Sequence, residues 1–216
     1  MRSQSKFIVW FGLANAVAIL LFVVGVLRNQ SFDYWYVVYN LVLAYIPLGL
    51  AFLLKHLVEK RAWRNWRVGL TGLLWLLFLP NSFYIVTDFI HLYEQPRIDI
   101  IQDVVMLLQF SVLGLLAGFA SLSILHSLLL KKVGQRNSAV LVLGVLYLCS
   151  FALFLGRELR WNSWDVVVRP LGIVNDMALL WQDPAMGMSA FIVTLSFFGV
   201  LASMYFMGWY GVRLRG

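Results

Sequence analysis

The sequence is dominated by long apolar stretches separated by short polar segments. Six stretches can be marked, near residues 7–27, 35–54, 68–87, 101–130, 138–156 and 188–211. A membrane-spanning helix needs about 20 apolar residues, and each stretch is close to that length or longer. The pattern therefore predicts an all-α, polytopic helical membrane bundle of about six transmembrane helices. The length of the chain leaves room for one bundle, so we expect residues 1–216 to form a single transmembrane domain.

The composition excludes the other broad classes of protein. Apolar residues make up 62% of the 216 residues, charged residues make up 12%, and the mean hydropathy is +0.82. A soluble domain carries about 25% charged residues, and a disordered chain combines low hydrophobicity with high net charge. Neither description fits this chain. Its one cysteine, Cys149, excludes an intramolecular disulfide and a thiolate metal site.

The basic residues predict the orientation of the bundle, because short cytoplasmic loops are rich in Lys and Arg. With a cytoplasmic N-terminus, six spans place twelve of the 17 basic residues inside. The five that lie outside are Arg28, Arg97, Arg157, Arg160 and Arg169. Of the acidic residues, only Glu59 lies inside. We therefore expect both termini in the cytoplasm.

The basic segment 55–67 contains five Lys and Arg residues together with Trp63 and Trp66. Single-stranded nucleic acids stack on aromatic side chains in basic grooves, so that partner has to be considered. A juxtamembrane segment explains the same composition, with tryptophans at headgroup depth and cations facing anionic lipid. We expect membrane lipids and no nucleic acid as partners.

A short motif in the fourth stretch predicts where two helices approach closely. Gly114 and Gly118 form a G-x-x-x-G pattern, which lets another helix pack against the backbone. The pattern is also found in helix dimers, but packing within the bundle is the favoured interpretation here. The sequence predicts no oligomeric state.

The first cluster of polar residues begins at the outer end of the third stretch. Pro80 cannot donate a backbone hydrogen bond, so we expect it to kink or open the helix. Asn81, Tyr84, Asp88 and His91 follow at spacings of three, four and three residues, which places them on one helical face. Asp88 and His91 are then positioned to share a proton, but two ligands do not make a metal site. The alternative is a hydrogen-bonded seam against a neighbouring helix.

The second cluster, residues 156–165, follows the fifth stretch and contains Arg157, Arg160, Asn162, Trp164 and Asp165. Guanidinium groups bind phosphate or carboxylate through paired hydrogen bonds. Tryptophans are typical of the headgroup boundary. The cluster therefore predicts binding of an anionic headgroup. The alternative is a set of ion pairs that stabilises the packing of the helices at the outer end of the bundle.

Residues 169–187 form the third element of the outer side. Pro170 begins a possible helix and Asp183-Pro184 ends it, with Leu171, Val174 and Leu179 among its apolar residues. The segment is too short and too polar to span a bilayer. We expect a short interfacial helix before the last span.

The motifs at these positions resemble one known family. They are LPNSFYIVTDFIHL over residues 79–92, GRELRWNSWD over residues 156–165, and Arg169-Pro170. They resemble the bacterial membrane proteins grouped as domain-of-unknown-function family 1361, over nearly the whole chain. At Asp103 the match is looser, since Ile101-Gln102 stand where the family often has two aromatic residues. The resemblance implies a multi-pass protein of the bacterial cytoplasmic membrane, and it implies no activity or cofactor.

Three functions from different classes follow from these residues. The first is a protein that binds or processes a lipid-linked or otherwise anionic molecule at the outer mouth. The second is a structural or accessory subunit of an envelope complex, and the third is a small transporter. The crowding of polar residues at one mouth favours the first. No signature of a familiar enzyme class is present, so whether the chain is an enzyme stays open.

Under the first function, each polar residue has a candidate role. The candidate catalytic residues are Asp88, His91 and Asp165, and the candidate substrate-binding residues are Asn81, Tyr84, Arg157, Arg160, Asn162 and Trp164. Carboxylate and imidazole groups serve as general acids and bases, whereas the amide, hydroxyl and guanidinium groups are suited to hold a headgroup. We predict no metal ligands.

Overall fold

The computed structural model describes residues 2–61, 63–93 and 100–213, and every regular element in these ranges is helical. Helix α1 spans Arg2–Asn29, α2 spans Trp35–Arg61 and α3 spans Trp66–Tyr84, and a 3₁₀ segment, Ile85–Tyr93, continues directly from α3. A long helical stretch, Ile100–Glu158, comes next. Five helical segments of the described chain are long and apolar enough to cross a membrane. The predicted all-α membrane architecture is confirmed.

The stretch Ile100–Glu158 consists of two helices that meet at Gly134. The backbone there has φ 80° and ψ 176°, a conformation that glycine adopts at little cost and that ends a helix. We call residues 100–133 α4 and residues 135–158 α5. Gly114 of α4 packs against Ser82, and Gly156 of α5 packs against Tyr84, so both helices meet the same end of α3. They therefore run antiparallel, as the predicted spans 101–130 and 138–156 require.

The remaining helices are α6 at Asp165–Val168, α7 at Pro170–Gln182 and α8 at Pro184–Arg213. Helix α7 is the short helix that the sequence predicts before the last span. Leu171, Val174 and Leu179 of α7 are exposed. Outward apolar side chains on a helix too short to span suit a position at the membrane interface, which stays a prediction.

Buried apolar side chains form two clusters along the bundle. The larger cluster joins α2, α3, α4, α5 and α8, with Trp75, Leu79 and Phe83 of α3 at its centre. The smaller cluster joins α1, α2, the 3₁₀ segment and α4 around Val37 and Phe110. Helix α3 is thus central, whereas much of the surface of α1 and α8 is left for contact with lipid.

The G-x-x-x-G motif brings α4 against the end of α3. A Cβ atom on Gly114 would lie 2.6 Å from Cγ2 of Ile85 and 2.8 Å from the backbone oxygen of Ser82. A Cβ atom on Gly118 would lie 2.7 Å from Cε1 of Phe83. These separations are too short for a methyl group, so the motif serves packing within the chain, as the sequence predicted.

Hydrogen bonds between side chains and backbone tie α2, α3 and α4 together. Nε1 of Trp75 donates to Oγ of Ser121 at 2.6 Å, and that hydroxyl donates to the carbonyl oxygen of Pro47 at 2.9 Å. Oγ of Ser82 donates to the carbonyl oxygen of Ala44 at 2.8 Å. Polar groups at membrane depth have no water to bind, so partners of this kind are required.

The basic residues of segment 55–67 and those near Gly134 lie at one end of the bundle. Nζ of Lys132 sits 4.3 Å from the centre of the Trp63 ring, which links the start of the α2–α3 connection to the α4–α5 turn. The clustering agrees with the charge pattern, and the cytoplasmic location of this end stays a prediction. Arg97 and Arg215 lie outside the described residues.

Substitution of Gly114 tests the close contact between α3 and α4. We expect Gly114→Ala to lower the unfolding free energy by about 1–3 kcal/mol, because the added methyl group overlaps Ile85 and the Ser82 backbone. The matched control is Gly144→Ala in α5, where nothing lies within 4 Å of the added Cβ. Thermal unfolding in detergent measures both. Equal midpoints for the two variants would contradict the proposed packing.

Candidate functional site

A cleft of about 310 Å³ opens where the C-terminal ends of α3 and α5 meet residues 161–173. Most of its wall is apolar and comes from residues such as Leu76, Leu77, Leu148, Ala152 and Leu155. Its polar groups come from Asn81, Tyr84, Trp161, Asn162 and Ser163. Small-molecule sites typically combine an apolar wall with a few polar groups that fix orientation. The cleft has this composition.

Asn81 connects α3 to the segment beyond α5. Its Nδ2 donates to the carbonyl oxygen of Phe78 at 3.0 Å and to Oγ of Ser163 at 2.9 Å. These two bonds use both amide hydrogens and fix the side chain in the wall of the cleft. Its Oδ1 atom accepts no hydrogen bond within the described part of the chain, so it offers an acceptor to a ligand.

Tyr84 caps the C-terminal end of α5. Its hydroxyl donates to the carbonyl oxygen of Gly156 at 3.4 Å, one of the carbonyls that the last turn of a helix leaves without a helical partner. A Cβ atom on Gly156 would lie 3.0 Å from Cε2 of Tyr84. Glycine at this position therefore lets the ring lie directly on the helix.

Trp161 packs against α7 and is hydrogen-bonded to it beside the cleft. Its Nε1 donates to Oδ2 of Asp176 at 2.8 Å, and the Arg169 guanidinium lies 5.3 Å from the centre of its ring. A Cβ atom on Gly172 would lie 2.7 Å from Cη2 of the indole. The indole thus contacts the bare backbone of α7, and it also lines the cleft.

Asp165 organises the turn that leads into α6. Its Oδ2 accepts from the backbone amide of Asn162 at 2.8 Å and from Nδ2 of Asn162 at 3.3 Å, and its Oδ1 pairs with Arg169 at 3.0 Å. The backbone hydrogen bond from Asn162 is the main reason that the pKa of Asp165 lies below its usual value, with Arg169 adding to the effect. The carboxylate is therefore ionised at neutral pH and engaged in local structure.

Asp88 lies on a different face from the cleft. In a 3₁₀ helix, residues three apart are aligned, so Ile85, Asp88 and His91 share one face. Asp88 is only 1% exposed, and its Oδ2 accepts from Nδ2 of Asn40 at 2.9 Å. The His91 ring lies 4.9 Å from that of Tyr36, which also belongs to α2.

The four polar residues that the sequence predicts on one helical face are therefore divided into two pairs where the α-helix becomes a 3₁₀ helix. Asn81 and Tyr84 line the cleft, whereas Asp88 and His91 pack against α2. The Asp88 carboxylate interacts electrostatically with the Arg157 guanidinium and the His91 side chain, which places these three predicted residues in one electrostatic group.

The other predicted residues occupy more exposed positions. Arg157 is half-buried, and Arg160 and Trp164 are exposed. Arg160 has φ 57°, in the left-handed region, at the bend between α5 and the segment beyond it. Across the described ranges, no three His, Cys, Asp or Glu side chains are grouped so that they could hold a metal ion.

Three residues of this region were not among the predicted site residues. Trp161 and Ser163 line the cleft, and Asp176 holds the Trp161 indole. The Trp161–Asp176 bond joins a residue that precedes α6 to one within α7, so no helical periodicity reveals it. Ser163 could have been found from its position beside Asn162 in the second polar cluster.

Comparison with known proteins gives one family. The family model described as "Protein of unknown function (DUF1361)" matches residues 39–202, a range that contains the cleft, the Asp88 group and α7. The family resemblance carried by the sequence motifs is confirmed. No curated protein and no solved structure matches the chain.

Neutralisation of Asp165 tests its structural role. Because its pKa is lowered in the folded protein, its charge stabilises the fold above the ordinary aspartate pKa of about 3.9, and this contribution is lost as the pH falls through the lower folded value. We expect Asp165→Asn to lower the thermal midpoint at neutral pH, and the difference from the unmodified protein to shrink as the pH is lowered through the folded-state pKa.

The matched control is Glu158→Gln, which neutralises an exposed carboxylate close by in the chain. Its thermal midpoint should follow that of the unmodified protein throughout the titration. A deficit of Asp165→Asn that persists unchanged at the acidic end would show that the charge of Asp165 is not what stabilises the turn.

Proposed function

The chain belongs to the DUF1361 family of integral membrane proteins, and we propose that this member binds the headgroup of an anionic lipid or lipid-linked molecule. The proposed site is the cleft between α3, α5 and residues 161–173. We further propose the bacterial cytoplasmic membrane as its location, with the cleft at the outer surface. The observation that carries the proposal is the composition of the cleft, which pairs a long apolar wall with a compact polar end.

The apolar wall suits a hydrocarbon chain. Leu76, Leu77, Ala152 and Leu155 offer no hydrogen-bonding side chains, so a polar ligand gains nothing along this surface. A volume of about 310 Å³ lies at the lower end of the range for small-molecule pockets. It accommodates part of a lipid, with the rest of the chain left in the surrounding bilayer.

The opening of the cleft supports entry from the side. Leu148 and Val166 line the cleft and are 51% and 44% exposed. Both are apolar, so the rim between α5 and α6 is suited to contact with lipid and not with water. A lipid is thus able to move from the bilayer into the cleft without crossing a polar barrier.

The polar end is suited to a headgroup that offers both hydrogen-bond donors and negative charge. Oδ1 of Asn81 is available to a donor such as a hydroxyl or amide. Arg157 and Arg160 are adjacent in the chain to Gly156 and Trp161, which line this end of the cleft. Guanidinium groups bind phosphate oxygens well, which favours an anionic ligand.

Processing of the bound headgroup is the second candidate function. It is favoured by the electrostatic group of Asp88, His91 and Arg157, because a buried carboxylate grouped with an imidazole and a guanidinium is a common arrangement for acid–base chemistry. In this proposal Asp88 and His91 move protons while the cleft residues hold the ligand. Asp88 does not line the cleft, so binding is the function that the geometry supports better.

Filling the cleft tests the proposal. We expect Ala152→Phe to prevent retention of the lipid, because the aromatic ring occupies the apolar part of the cleft. The measurement is native mass spectrometry of protein purified gently from its membrane, followed by analysis of the released lipids. The unmodified protein should carry a bound anionic lipid, and the variant should retain at least about tenfold less of it.

The matched control is Leu141→Phe, which adds an aromatic ring to an exposed position of the same helix outside the cleft. It should retain the lipid as the unmodified protein does. Equal retention in Ala152→Phe and Leu141→Phe, or no bound lipid in the unmodified protein, would overturn the proposal.

A further inference from the structure

A second groove lies at the opposite end of the bundle from the cleft. It has a volume of about 180 Å³ and runs between the last turns of α2 and α4. Lys55 and Glu59 of α2 line one side, and Ser123, Ser127 and Lys131 of α4 line the other. This is the end that carries the cation–π contact of Lys132 with Trp63.

The groove holds positive charge that the protein does not neutralise. Over residues 2–61, 63–93 and 100–213, neither Lys55 nor Lys131 forms an ion pair with an acidic side chain. Among the residues that the structure describes, Glu59 is the only acidic one that lines the groove. Two ammonium groups and one carboxylate leave a net charge of +1, which matches a phosphate diester with its single negative charge.

The hydroxyl groups of the two serines already donate to the backbone, so the lysine ammonium groups are the donors for an anion. Oγ of Ser123 donates to the carbonyl oxygen of Ala120 at 2.8 Å, and Oγ of Ser127 donates to that of Ser123 at 2.8 Å. Both hydroxyl hydrogens are therefore engaged within α4. Lys55 and Lys131 stand on opposite walls, so a phosphate between them accepts from both helices.

Apolar surface continues from the groove toward the middle of the bundle. Phe52 lies one helical turn before Lys55 and two turns before Glu59 on α2, and is 57% exposed. Leu116 lies two turns before Ile124 on α4, on the same side of the helix, and is 52% exposed. Acyl chains that extend from a phosphate in the groove thus have apolar side chains to lie on.

From this arrangement we infer that the groove between α2 and α4 binds the phosphate of an anionic phospholipid, held between Lys55 and Lys131. Basic pockets between transmembrane helices are suited to such headgroups. The site is separate from the outer cleft in residues and in position. A bound phosphate would link α2 to α4 at this end of the bundle.

The test is a comparison of lipid binding by two charge-matched double variants. Lys55→Gln with Lys131→Gln removes both proposed ligands, and Lys60→Gln with Arg136→Gln removes two exposed charges of the same end that do not line the groove. With the outer cleft filled by Ala152→Phe in every protein compared, dissociation constants are measured by native mass spectrometry for short-chain phosphatidylglycerol, phosphatidylcholine and inorganic phosphate. Thermal midpoints without ligand establish that both variants are folded.

We expect phosphatidylglycerol to bind the unmodified protein more tightly than phosphatidylcholine. We also expect at least about tenfold weaker binding in the Lys55/Lys131 variant and unchanged binding in the Lys60/Arg136 variant. Inorganic phosphate that binds with the same dependence on Lys55 and Lys131 would support phosphate recognition and identify the free anion as a sufficient ligand. Binding by phosphatidylglycerol alone would identify the lipid as the source.

Two results would overturn the inference. One is equal weakening by the two double variants, which would attribute binding to the general positive charge of this end. The other is equal affinity for phosphatidylcholine and phosphatidylglycerol in the unmodified protein. Either result leaves the outer cleft untouched, because Ala152 and Lys131 belong to opposite ends of the bundle.

Discussion

Helix α3 packs at the centre of the bundle because α4 has no side chains at Gly114 and Gly118, where the two helices meet. In a membrane, apolar side chains gain little by leaving lipid for protein, so helix association depends on close packing and on hydrogen bonds between helices. The two glycines allow both, since they admit Phe83 and bring Ser82 within reach of α2. The Trp75–Ser121–Pro47 chain of hydrogen bonds continues the same contact deeper in the bundle.

The position of α3 determines where its polar residues point. With Ser82 and Phe83 turned toward α4, the neighbouring positions Asn81 and Tyr84 turn toward α5 and form the wall of the cleft. The change from α to 3₁₀ geometry after Tyr84 then redirects the chain, so that Asp88 meets Asn40 on α2. One continuous segment thus supplies both an open binding wall and a buried carboxylate group.

The features that the sequence predicted correctly are those with a local cause. Apolar length predicts the spans, and Gly114 with Gly118 predicts a close helix contact, because both depend on residues near each other in the chain. The division of the polar stripe was not predicted, since helical spacing of Asn81, Tyr84, Asp88 and His91 assumes one kind of helix throughout. The second groove depends on which helices are neighbours, and no charge pattern in α2 or α4 alone reveals that Lys55 faces Lys131.

A high density of polar residues is a poor guide to which of them bind a ligand. In the second polar cluster, Trp161 bonds to Asp176, and Asp165 bonds to Asn162 and Arg169, so the hydrogen-bonding groups of these two side chains hold α6 and α7 in place. Binding needs groups whose capacity is unused but whose position is fixed. Asn81 meets both conditions, because its amide hydrogens are committed to the protein and its oxygen is not. In the proposed site, Trp161 and Asp165 therefore contribute mainly by holding the wall that faces Asn81.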